Sequence, residues 1–146
     1  MQAQPDMNPE DQPHMDRSYF ERKVLFGLQH MGVLARKCSR EHGFWEDFDE
    51  MVGMLSDPDR KAKYILDVKL SKMALVGSEV GEAVEGIRKP KQDEHCPEFT
   101  SEEVELADAI IRMVEYAEKF GLRLAEAAIA KMRYNESRPY KHGKGA

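Results

Sequence analysis

The chain reads as an all-α protein with a four-helix-bundle-like domain, on three observations. Apolar residues recur at spacings of three and four along most of its length, the period of a helix. Aromatic residues make up 8% and charged residues 34%, a balance that suits amphipathic helices better than sheets rich in β-branched side chains. Gly43, Pro90 and Gly121 stand where the periodic stretches stop. With 146 residues the chain has room for one domain with a core of its own and too little for two.

Residues 1–16 are polar, with Pro5, Pro9 and Pro13 and no apolar run of the signal-peptide kind, and read as a flexible tail. The first helix runs from about Ser18, its expected cap, to about His42, with Phe20, Val24, Leu28, Met31 and Ala35 on one face. The link from Gly43 to Asp59 holds Phe44, Trp45, Phe48, Met51 and Met54; that is too apolar for a solvated linker, so it folds over the core or roofs a pocket. The second helix spans about Asp59 to Lys89, where Pro90 forbids continuation. After a polar loop, Ser101 is expected to cap a third helix that ends near Phe120, and a fourth extends from Leu122 to about Glu136. The domain is therefore 17–136. Residues 137–146 form a basic tail, either frayed or wrapped over a substrate.

The formal charge of −5 argues against a dedicated nucleic-acid binder, and no apolar run approaches a membrane span. Cys38 and Cys96 lie in no CxxC or Cys/His cluster, so reduced thiols and a cytoplasmic setting are expected.

The second helix carries the chemistry. Leu66, Leu70, Met73, Gly77, Val80 and Val84 fall on one stripe, the expected core face. On the other side, Val68 and Leu75 are in line with Glu79 and Glu82, so the helix is apolar on two sides and one of them bears acids one turn apart. The third helix repeats this: Leu106, Ala109, Ile110, Met113, Ala117 and Phe120 form its main stripe, with Glu105 and Asp108 well round from it. Two acid pairs on antiparallel helices can converge, and a divalent cation held by oxygen, Mg²⁺ or Mn²⁺, relieves their repulsion. The competing reading is structural: solvated acids, or acids neutralised by Lys72 and Arg112. Because helices two and three are apolar on two sides, at least a homodimer is expected, closing the Val68 and Leu75 side.

Ser78-Glu79-Val80-Gly81-Glu82-Ala83 followed by Glu105-Leu106-Ala107-Asp108 resembles the ExxE…ExxD signature of the MazG-like all-α NTP pyrophosphohydrolases. Lys131 to Lys144, containing Asn135, Arg138-Pro139 and His142-Gly143, is similar to the K…N..RP..HG ending of many small members. Together the match covers about Tyr64 to Lys144. The resemblance implies hydrolysis of a nucleoside triphosphate to a monophosphate and pyrophosphate, with Glu79, Glu82, Glu105 and Asp108 as Mg²⁺ ligands. It also implies a homodimer or homotetramer whose bundles are completed across subunits. Many members carry an acid where this chain has Ser78, which leaves the number of ions and the identity of the water-activating acid, Glu79 or Glu82, open. Pyrophosphohydrolysis also needs cations for the leaving group, for which Lys131 and Arg138 are the candidates; Asn135 is a candidate for phosphate, sugar or base, and Trp45 either stacks on the base or plugs the core. Two rivals remain: a non-enzymatic helical dimerisation or adaptor module, and an HD-type phosphohydrolase, the latter weakened because no His-Asp dipeptide occurs.

Overall fold

A computed structural model describes residues 16–139, and over them the protein is all-helical. Five helices follow in order: α1 (Arg17–Glu41), α2 (Glu46–Met54), α3 (Pro58–Arg88), α4 (Ser101–Lys119) and α5 (Leu124–Glu136). None is long and apolar enough to cross a membrane. Most of the N-terminal tail, and Lys141, His142 and Lys144 of the basic tail, lie outside the described residues.

The caps lie one or two residues upstream of those the sequence suggests. Asp16, not Ser18, starts α1 by accepting from the Tyr19 amide at 3.0 Å. Asp57 accepts from the Arg60 amide, and Pro58 occupies the first turn of α3, where its missing N–H costs nothing. Thr100, not Ser101, caps α4 in a reciprocal box with Glu103: each side chain satisfies the other residue's amide. At the C-terminal ends Gly43 and Gly121 take positive φ (73° and 63°), so that the Phe44 and Leu122 amides reach back to the Ser39 and Ala117 carbonyls.

The link contains a fifth helix, α2, which brings Phe48 against Trp45, Tyr64 and Phe120. α3 and α4 form an antiparallel hairpin: Lys69 lies over Phe120 at one end, and Gly86 meets Ser101 and Glu102 at the other. Gly86 has to be glycine there, since a Cβ would sit 2.9 Å from the Glu102 nitrogen. α1 packs on α4 through Gly32, whose Cβ position lies 3.2 Å from the Val114 carbonyl. α5 packs chiefly on the N-terminal half of α1, tied by ion pairs Arg133–Glu21 and Arg17–Glu136.

The core is small, with Trp45, Ala83, Ala109, Val114, Ala117 and Ala125 its buried apolar residues. The expected core face of α3 is not in it. Leu66, Leu70, Met73, Val80 and Val84 are exposed, because α3 meets α4 and Trp45 through the neighbouring positions Lys69, Lys72, Glu79, Ala83 and Gly86. Leu106, Ile110 and Met113 of α4 are exposed as well, while Ala109 and Ala117 of the same expected stripe are buried.

Candidate metal centre

Glu79 sits in the C-terminal half of α3 and is only 6% exposed. Directly across the hairpin, α4 presents Glu105 and Asp108, one turn apart. Carboxylate oxygens of these three residues all lie within 4.8 Å of one another. The hairpin creates this, because antiparallel helices bring an acid in the C-terminal half of α3 against the first half of α4.

Arg112 Nε stands 2.5 Å from Glu79 Oε1, the structural pairing that the sequence allowed as an alternative. The nitrogen makes no directed hydrogen bond, so the contact is one of charge alone. It offsets one negative charge of three. Burial raises the Glu105 carboxyl above its ordinary value, and the charges of Glu82, Glu79 and Asp108 add to this. Burial also raises Asp108, Glu79 reinforces it, and Arg112 opposes it. Both shifts join burial, the larger cause, to repulsion among neighbouring carboxylates, and a cation would relieve the repulsion.

Glu82 stands apart from the trio. One turn beyond Glu79, it is exposed and accepts a hydrogen bond from the Ser78 hydroxyl at 3.2 Å. Ser78, at the position of the absent acid, thus holds Glu82 instead of adding a ligand. Glu82 and Glu105 line a groove of about 470 Å³ between α3, the 89–100 loop and the start of α4. Lys89, Lys91 and His95 line it too, beside Glu85, Asp93 and Glu94, and the lysines pair there with Glu85 at 3.3 Å and with Glu94 at 3.6 Å. The loop is fastened by Asp93, which accepts from the His95 and Cys96 amides at 2.8 Å, and by the Ser101 amide on the Lys91 carbonyl. These three bases went unread in the sequence; their signal is basic residues placed just after one acid motif and just before the other.

The other expected substrate residues are not brought to the acids. Trp45 is 2% exposed, its Nε1 donates to Glu115, and Arg36, Lys72 and Lys119 surround the ring with their charges 4.4–5.7 Å from its centroid. The indole is a core plug with no open face for a base. Lys131 and Arg138 lie over the ring of Tyr134, and with Asn135 they belong to α5 and its end, which line no part of the groove beside the acids.

The three carboxylates could together offer oxygen donors to a hard divalent ion, with Glu82 one turn away. No protein-family model, curated protein or solved structure matches the chain. The resemblance to the MazG-like enzymes therefore rests on the motifs themselves.

Proposed function

We propose that the protein is a Mg²⁺-dependent nucleoside triphosphate pyrophosphohydrolase, and the observation that carries this is the convergence of Glu79, Glu105 and Asp108. The motif order and spacing that resemble the MazG-like enzymes support the same reading. Glu79, Glu105 and Asp108 would hold Mg²⁺ (or Mn²⁺), which when bound offsets phosphate charge and makes a water more acidic.

This chain's residues supply the rest. Lys89, Lys91 and His95 line the groove, and on binding the lysines would exchange their Glu85 and Glu94 partners for the β and γ phosphates. Glu82, outside the trio and oriented by Ser78, accepts the proton of the attacking water. The water oxygen bonds to the α phosphorus, the bond from that phosphorus to the α–β bridging oxygen breaks, and pyrophosphate leaves with the bridging oxygen. A nucleoside monophosphate remains.

The rival is a helical dimerisation or adaptor module, favoured by the Arg112–Glu79 contact and by the apolar face left open on α3. Incubation with a panel of NTPs and dNTPs, with Mg²⁺ and with EDTA, decides between them. The enzyme reading expects pyrophosphate release from at least one nucleotide only with the metal. The module reading expects none, and no Mg²⁺ effect on melting.

A further inference from the structure

We infer that Arg112 is an internal counter-ion that occupies the cation seat of the acid trio, and that metal binding passes its guanidinium from Glu79 to Glu115. The inference rests on the metal reading of the trio. It begins from the way in which Arg112 meets Glu79. Nε lies 2.5 Å from Glu79 Oε1, yet this buried nitrogen makes no directed hydrogen bond. Charge places it there, without the paired and aligned bonds that lock a guanidinium onto a carboxylate. The two partners also differ in freedom. The Arg112 side chain is 42% exposed and can leave without opening the core, whereas that of Glu79 is 8% exposed and cannot follow it.

Oxygens of Glu79, Glu105 and Asp108 crowd within 4.8 Å of one another, so the seat needs a positive charge at all times. Arg112, one turn beyond Asp108 on α4, supplies one from the flank. A divalent ion among the same oxygens supplies two, and two cations at one carboxylate repel each other. The ion engages all three acids and the guanidinium touches one, so the guanidinium gives way.

A second acid stands ready to take it. Glu115 is three residues further along α4, the spacing of neighbours on one helix face. Arg112 and Glu115 line a single cavity with Trp45, Lys72, Leu75 and Tyr116. Its volume of about 20 Å³ holds one water, so a side chain turning into it displaces little. One Glu115 oxygen accepts from Trp45 Nε1, and no ion pair engages this carboxylate among the described residues. Lys72 shares the cavity but lies over the indole, 4.4 Å from its centroid. Loading the seat therefore moves a positive charge along α4 towards Trp45, the one tryptophan of the chain. The same device lets the hairpin fold without metal and lowers its affinity for the ion.

Calorimetric titration of the full chain with MgCl₂, alongside Trp45 fluorescence, tests this. Arg112→Gln should bind Mg²⁺ about tenfold more tightly than wild type, the scale of one coupled pair of sites. Arg112→Lys keeps the charge and should stay within about threefold of wild type. Trp45 emission should change with the calorimetric midpoint in wild type and stay constant in Arg112→Gln. Glu115→Gln should weaken Mg²⁺ binding about threefold alone and not at all beside Arg112→Gln, since only a released guanidinium makes Glu115 matter. Affinity in Arg112→Gln no higher than in wild type, silent emission at saturation, or equal Glu115→Gln effects in both backgrounds overturns the proposal and leaves the metal site standing. No Mg²⁺ binding by wild type or any variant overturns it together with the metal reading. Should Arg112→Gln lose its helical circular dichroism, the Arg112 Nε–H signal in ¹⁵N NMR, identified by its loss in Arg112→Lys, decides. Mg²⁺ should shift that signal and speed its exchange with water, and an unmoved signal overturns the proposal.

Discussion

Glu79, Glu105 and Asp108 set three carboxylates against one guanidinium, and that imbalance is testable residue by residue. Mg²⁺ should raise the melting temperature, by the equivalent of about 2.7 kcal/mol at a hundred times its dissociation constant, and Asp108→Asn should abolish the rise while the helical signal persists. The pH dependence carries a definite sign. Glu105 and Asp108 titrate above their ordinary values of 4.5 and 3.8 in the folded chain. The folded state therefore holds those protons more tightly than the unfolded one, and the stability this adds in acid is lost as pH climbs through the raised values. Metal-free protein should lose melting temperature across that window more steeply than Glu105→Gln, and saturating Mg²⁺ should remove the difference. Lys91→Ala, on the groove, should lower kcat/KM by roughly ten- to a hundredfold, the scale of one charge-assisted phosphate contact, and leave Mg²⁺ binding unchanged. That Glu79, Glu105 and Asp108 could converge was legible in the sequence, because the two motifs repeat on neighbouring helices; that Glu82 stands apart from them was not. Nor were Lys89, Lys91 and His95, since a polar loop has no periodicity to show which way its side chains face.

At the scale of elements, helix ends and close contacts dominate. Pro90, Gly43 and Gly121 announced three boundaries through backbone geometry alone. α2 was missed because its nine residues hold too few turns for a period to emerge. The caps shifted because serine, threonine and aspartate compete for the same role: Thr100 wins over Ser101 through Glu103, three residues on. Gly86→Ala tests the α3–α4 contact. A Cβ 2.9 Å from backbone nitrogen should cost about 1–3 kcal/mol, more than the roughly 1 kcal/mol of helix propensity gained. Gly27→Ala, with open space around it, should be neutral or stabilising; equal effects in chemical denaturation would refute the tight crossing. The docking of α5 depends on Glu21, which hydrogen bonds from Arg133 and then Arg17 hold down at about 2. Its contribution is present above the unfolded value of 4.5 and is lost as pH falls towards 2, so amide exchange in α5 should accelerate across that range. In Glu21→Gln that acceleration should be absent.

For the whole molecule, the all-α class followed from composition and period, and the structure bears it out. Which stripe of α3 lies inside did not follow. Periodicity identifies two apolar sides but not their order of burial, and the chain buries the side that carries Lys69, Lys72 and Glu79 while leaving the purely apolar one open. That inversion is what buries Glu79 against α4, next to the groove that Glu82 and Glu105 line. Hydrolysis of the preferred nucleotide in ¹⁸O-labelled water, followed by ³¹P NMR, reads the broken bond and the attacked phosphorus together. Equal amounts of nucleoside monophosphate and pyrophosphate are expected, with the label in the monophosphate, only when Mg²⁺ is present, and with none formed by Asp108→Asn. Nucleoside diphosphate and orthophosphate as products, label in the pyrophosphate, or turnover undiminished in EDTA would contradict it.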